Sequence, residues 1–252
     1  YTLDDDEVEM LNTLYYESAE IFDAFEGMTD SEGRDMKELM ISYCGGMFAD
    51  GSLGGNFDYG GNMDAVAFEL WTTLKKEGFS EASAAGIIGN AYQESRLNPA
   101  SGSDGGPAYG IFQFEKSKHG TSPFGGKGSL DGKGLDEQLI EYCGSHGLDY
   151  SSVEGQTKFM LSKLPSDFEN YTGKTYTYKN GTVTWWPEKM TLDEYKEIDD
   201  PQLAAQIFCR VHERPSKPMM SVRESAAQRY YTLLKSYGEG SSSSDIINVA
   251  LK

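Results

Sequence analysis

The chain has 252 residues, 38% of them hydrophobic, which is enough for one or two domains with a sizeable core. Its net charge of -18 is concentrated at one end: residues 1–60 carry 15 acids against 2 bases, a net -13. That balance argues against nucleic acid or anionic lipid as a partner, since both call for clustered Lys and Arg. No apolar run is long enough to cross a membrane. The chain opens Tyr1-Thr2-Leu3 without a starting Met or a basic segment, and closes at Leu251-Lys252. These ends read as those of an excised fragment, with any targeting or anchoring segment outside it.

Val8, Leu11, Tyr15, Phe22 and Phe25 form a helical stripe on an acidic background, and Met36, Leu39, Met40, Tyr43 and Met47 form a second. Residues 1–50 are therefore predicted to be an acidic helical hairpin. Two short helices bury too little to stand alone, so this hairpin is expected to pack as an extra layer on the following domain; docking on a partner is the alternative. Residues 51–63, with Gly51, Gly54, Gly55, Gly60 and Gly61, have the composition of a linker.

From residue 64 the pattern becomes dense. Asp64 is the expected N-cap of a helix through Val66, Leu70, Trp71 and Leu74 that closes at Gly78. Ser80 caps a helix over 81–94 whose small residues, Gly86 and Gly89 among them, predict close approach of a neighbouring backbone. Pro99 and Gly102 open a loop, and residues 115–134 read as a long surface loop. Helices are expected at 135–146 and 153–164. The alternation over Thr175–Trp186 around Asn180-Gly181 predicts a β-hairpin. Helices resume at 192–197, 200–212 and 219–236. Gly238 to Ser244 is a second linker, and 245–252 reads as the start of a truncated following domain.

Cys44, Cys143 and Cys209 are far apart, form no Cys-x-x-Cys pair and have no His at ligand spacing, which makes structural zinc improbable. His119, His146 and His212 are isolated, and no Ser–His or Cys–His pair points to a nucleophilic hydrolase.

The stretch with most chemical content is Asn90-Ala-Tyr-Gln-Glu94-Ser95, followed by Ala108-Tyr109-Gly110-Ile-Phe-Gln113. It puts one carboxylate, Glu94, at the end of an apolar helix, then a Gly-rich loop, then a segment able to lie against that carboxylate. A carboxyl half-covered by apolar groups keeps its proton near neutral pH, and such a proton is what a glycosidic leaving oxygen requires. A Glu near a helix end is more often a solvated surface residue, so the surrounding pattern has to carry the reading.

That pattern resembles the lysozyme and lytic-transglycosylase superfamily, and within it the phage-tail-type lysozymes, also found in conjugation-associated wall hydrolases. The resemblance covers about residues 64–236, within a catalytic domain expected at 64–237. It rests on the Trp71 helix with Gly78 to Asn90, Glu94-Ser95, Gly110-x-x-Gln113, the helix Gln156–Leu164, and Glu213-Arg214-Pro215 with Arg223 and Ala227 beyond. It implies a mainly α (α+β) lysozyme-like fold with one β-hairpin, and cleavage of the β-1,4 bond between N-acetylmuramic acid and N-acetylglucosamine of peptidoglycan, without metal or organic cofactor.

Glu94 carries over as the general acid. Ser95, Tyr109, Gly110, Gln113 and Glu115 are expected to line the substrate cleft. Asp104, in the loop Ser101–Gly106, is the favoured second carboxylate to activate water, with Glu115 the runner-up. Without either, the reaction becomes a transglycosylation that releases 1,6-anhydro products. Glu213, beside Arg214 and near Arg210, reads as part of a structural ion pair. The tail 245–252 resembles the first helix of a wall peptidase, a tandem layout that implies a phage tail or conjugation machine at the extracellular wall. There residues 1–50 could dock secretion-channel or tail proteins. The rival from another class is a non-catalytic wall-binding scaffold.

Overall fold

The computed structural model describes residues 60–178 and 181–238. The chain divides between Gly61 and Asn62 into two units, and the first lies almost wholly outside the described residues. The acidic hairpin expected at 1–50 and the tail 239–252 lie outside them too. Seven α-helices are described: α1 (Gly60–Lys76), α2 (Glu81–Ser95), α3 (Leu135–His146), α4 (Val153–Tyr171), α5 (Leu192–Lys196), α6 (Pro201–Phe208) and α7 (Met220–Gly238). Two small antiparallel hairpins accompany them, β1 (Ala108–Tyr109) with β2 (Phe114–Glu115), and β3 (Thr175–Tyr178) with β4 (Gly181–Thr184).

The fold is built around α2. Ser80 accepts the Ser83 N–H at 2.9 Å, a side-chain cap that sets the start of this helix. Every residue from Ala82 to Tyr92 is buried, so α2 runs through the core and is covered by α6 and α7. The small residues allow this. A Cβ added at Gly86 would lie 2.6 Å from the Ala204 Cβ of α6, and one at Gly89 would lie 2.4 Å from the Arg223 carbonyl oxygen of α7. The close backbone approach predicted from these glycines is present. Leu70, Leu74, Ile87, Ile88, Phe159, Phe208 and Tyr230 fill the core around this axis.

Several boundaries differ from expectation. Helix α1 begins at Gly60, so Gly60–Met63 of the expected linker are helical and Asp64 sits inside the first helix rather than capping it. Its carboxylate lies 3.9 Å from Arg229 of α7. Helix α4 continues past Leu164 to Tyr171, carrying Pro165 on its exposed side. Phe168, one turn beyond Leu164, is buried against Tyr195, and that burial keeps the helix going past a proline that costs a backbone hydrogen bond. After Phe208 the predicted helix widens into a π-turn, Cys209–Glu213, closed by Arg214 N–H to Cys209 O at 2.8 Å.

The expected hairpin pairs Thr175 with Thr184 and Tyr178 with Gly181. The other hairpin, β1–β2, is an addition to the single one predicted: strands of two residues are too short to leave an alternating pattern. The segment 115–134 is more than a surface loop. Lys116 and Ser117 are buried, and the Lys116 ammonium donates to Gly102 O at 2.8 Å and Gly125 O at 3.1 Å. Cys143 and Cys209 are buried free thiols, and no described helix is long and apolar enough to cross a membrane.

Candidate active site

Helix α2 ends where the chain turns left-handed. Arg96 and Leu97 have φ of 54° and 59°, and the Arg96 N–H caps the helix on Tyr92 O at 2.9 Å. Glu94 therefore stands in the last turn, with 19% of its side chain exposed. One turn back, Asn90 is fully buried and donates to Gly86 O and Ala205 O, at 2.8 and 3.0 Å.

Arg223 reaches across from α7 and is only 2% exposed. Its guanidinium makes three hydrogen bonds: to Glu94 Oε1 at 2.6 Å, to Asn90 Oδ1 at 2.9 Å and to Pro218 O at 2.7 Å. Burial works against the charge on Arg223, but Glu94, Cys209 and Glu213 outweigh it and hold the guanidinium firmly cationic. Glu94 is thus fixed at a buried cation, a more polar setting than the apolar cover expected from its helix.

The β1–β2 hairpin lies against this helix end. Ser95 Oγ donates to Ile111 O at 2.8 Å, coupling the residue after Glu94 to the hairpin turn. Gly110 has φ +83°, and a Cβ there would fall 2.5 Å from Gln156 Oε1. Gln113 takes φ 47°, and its amide nitrogen donates to Ser101 Oγ at 3.0 Å and Gly110 O at 2.9 Å. Tyr109 is buried, its ring stacked on Phe124 at 3.8 Å, and burial raises its phenol pKa, aided by Tyr150 and Asp149. One face of that ring is occupied by protein. Tyr92 packs on Tyr230 at 6.2 Å.

The two second-carboxylate candidates have different surroundings. Asp104 is exposed in the loop after α2, and its charge acts on the buried Lys116. Glu115 is half-buried and accepts from both the backbone N–H and the hydroxyl of Ser129, so it braces the 115–130 loop. Ser95, Gly110 and Gln113 come together at the end of α2.

Two residues near this site carry weight that sequence reasoning did not give them. Gln156 is fully buried on α4. It accepts Ile111 N–H at 2.8 Å and donates to Pro99 O at 2.9 Å and Tyr150 O at 3.1 Å, knitting three loops together. Its signal was a polar residue on the buried stripe Val153-Gln156-Met160. Glu213 was read as an ion-pair partner of Arg214. Instead, the Arg214 guanidinium lies 3.9 Å from the Tyr171 ring centre and 3.6 Å from Asp167. Glu213 Oε1 is shut off from water without a hydrogen-bond partner, though other parts of the residue reach the surface.

Burial, then the charge of Glu94, push the Glu213 carboxyl well above the usual range; Arg223 and Arg214 oppose this, and Asp167 adds to it. Among the described residues no three His, Cys, Asp or Glu side chains gather to hold a metal ion. The groove between α1 and α4 lined by Glu69, Lys76, Glu154 and Lys158 shares no residue with this site.

The family model for phage tail lysozyme matches residues 65–234, from the first turns of α1 to the end of α7. The chain belongs to that family. No curated protein matches it significantly. As a phage tail lysozyme domain it is a lysozyme-like, peptidoglycan-acting module, and its helical fold with two small hairpins agrees with that class.

Proposed function

We propose that this lysozyme domain hydrolyses the β-1,4 bond between N-acetylmuramic acid and N-acetylglucosamine, with Glu94 as the general acid. The observation that carries this is the placement of Glu94: part-exposed at the end of a buried helix, fixed from behind by Arg223 and beside the Gly110–Gln113 turn. A general acid must hold its proton at one point relative to the glycosidic oxygen, and the Arg223–Asn90 network fixes that point. The turn supplies the opposite wall. Gly110 is buried against the Gln156 carboxamide and shapes the turn, and Gln113, with its amide nitrogen already engaged, offers its carbonyl oxygen to a sugar hydroxyl or acetamido N–H. Ser95 and Tyr109 act by holding that wall in place, and Glu115 by bracing the loop behind it.

Hydrolysis needs a base for water, and Asp104 is the exposed carboxylate in the loop directly after the acid's helix. This substrate class fits a working surface at the cell wall, on a virion tail or at a conjugation channel that must open the wall locally.

Three measurements test this reading. Glu94→Gln keeps the side-chain shape but removes the transferable proton, so clearing of purified walls should fall at least ~100-fold. Mass spectrometry of the released muropeptides should show reducing-end muramic acid, and Asp104→Asn should lower kcat with KM nearly unchanged. Anhydro products, lighter by one water, would convert the assignment to transglycosylation. A parent that binds walls and cuts none would mark a scaffold.

A further inference from the structure

Lys116 has no part in that mechanism, yet it is fully buried, and a buried ammonium is costly unless something in the fold depends on it. The ammonium donates to two backbone carbonyls rather than to a carboxylate, Gly102 O at 2.8 Å and Gly125 O at 3.1 Å. These carbonyls belong to different loops, 101–106 after α2 and 115–134 after β2. Burial works against the charge on Lys116, while Asp136, itself fully buried, and Asp104 favour it.

Asp104 stands between two close contacts of its loop. Two residues before it, a Cβ added at Gly102 would fall 1.9 Å from Ala108 O, so the loop runs tight against β1 at the carbonyl that Lys116 holds. Just after it, a Cβ added at Gly126 would fall 2.0 Å from Gly105 O and 2.5 Å from Gly106 O. Asp104 itself is exposed between these contacts. Ser101-Gly-Ser-Asp-Gly-Gly106 has the composition of a flexible linker, and here a buried cation ties it to the neighbouring loop.

We propose that Lys116 is a positioning residue for the base: by tying Gly102 to Gly125 it fixes the Asp104 carboxylate over the cleft, where one water fits between it and Glu94. This rests on Asp104 being the base. A base that activates water must stand at one place relative to the acid, about 6.5–9.5 Å from it when the water attacks the sugar directly. A Gly-Ser loop on its own samples many such distances. Charge-assisted hydrogen bonds from one ammonium to two carbonyls remove that freedom. In the reaction Asp104 takes a proton from water as the water oxygen bonds to the sugar carbon, and Glu94 gives a proton to the departing glycosidic oxygen. Lys116 touches neither and acts through the loop alone.

The test is a double-mutant cycle, measured with the whole chain on solubilised glycan fragments. Lys116→Met keeps the length of the side chain and removes the ammonium, so kcat should fall at least about 10-fold with KM within about two-fold. Placed in Asp104→Asn, the same change should cost less than about two-fold, because a loop without its base has nothing left to position. An equal loss in both backgrounds would overturn the proposal and leave Lys116 a general brace of the fold, and a parental kcat in Lys116→Met would overturn it outright. If Lys116→Met does not fold, nuclear magnetic resonance of the parent decides. A backbone order parameter of about 0.85 at Asp104, with Lys116 ammonium protons slow to exchange, supports the clamp; a value below about 0.6, or an ammonium exchanging as freely as surface lysines, refutes it. Full activity of Asp104→Asn would instead sink the base assignment, an outcome distinct from an equal loss in both backgrounds, where Asp104→Asn is itself impaired.

Discussion

Gln156 Oε1 accepts the backbone N–H of Ile111 at 2.8 Å, although the two residues are 45 positions apart. The same carboxamide donates to Pro99 O and Tyr150 O, so one side chain satisfies three backbone groups from three loops. The turn beside Glu94 is thereby hung from α4 rather than held by its own two-residue strands. A buried backbone group left unpaired costs about 1–3 kcal/mol, so this carboxamide matters more than its single position suggests.

Replacing it tests that arrangement. Gln156→Leu keeps the volume but pairs with none of the three groups, and stability should fall by about 3 kcal/mol in urea denaturation. Wall clearing should fall as well, even at temperatures where the variant is folded, because Gly110 and Gln113 lose their fixed position. A parental urea midpoint would mean the turn is held by other contacts.

Gly89 is the second place to probe. Alanine is favoured over glycine in a helix by about 1 kcal/mol, so propensity alone predicts a gain. Here the new Cβ would meet Arg223 O at 2.4 Å and Ala227 N at 2.7 Å, both backbone atoms of α7. The helix itself would have to move, so Gly89→Ala should be destabilised by about 1–3 kcal/mol despite its propensity. Because α7 carries Arg223, turnover should drop too. Gly144, in α3, has nothing within 4 Å of an added Cβ, and Gly144→Ala should raise Tm slightly. Equal Tm changes in the two variants would show that α2 and α7 are not in backbone contact.

Glu213 gives a pH dependence of stability with a defined sign. Its carboxyl is raised in the folded state, so the folded chain holds that proton more tightly than the unfolded chain. The contribution to stability is fully present below the unfolded carboxyl value of about 4.3 and is lost as pH rises through the folded one. Glu213→Gln cannot titrate there. The Tm of the parent minus that of Glu213→Gln should therefore decrease as pH is raised from about 4 to 8, measured by calorimetry at fixed ionic strength. A difference independent of pH would show an ordinary, solvated carboxyl at 213.

Much of this architecture was legible in the sequence because it depends on local chemistry. Ser80 caps the helix it precedes, since a short oxygen side chain meets the free N–H groups of a first turn, whereas Asp64, expected to do the same, sits inside α1. The glycines of α2 announced close packing because a missing Cβ has few other uses inside a helix. Glu94, Gly110 and Gln113 stood out as a spaced pattern along one stretch of chain.

What the sequence could not supply was the set of partners brought together from far along it. Arg223 meets Glu94 across 129 positions, and Gln156 meets Ile111 across 45. Both sit on buried helix stripes where an apolar residue was the default, and only packing shows which groups make their burial tolerable. The charge at Glu213 belongs wholly to this second kind. In the sequence it stands beside Arg214, and a neighbouring arginine is the natural ion-pair partner. The π-turn and the pull of Asp167 and Tyr171 direct that arginine elsewhere, and burial, then the charge of Glu94, raise the carboxyl left behind. Helix boundaries follow from short-range steric and hydrogen-bonding rules, whereas protonation follows from the sum of charges in a closed space, and that space exists only once the helices have packed.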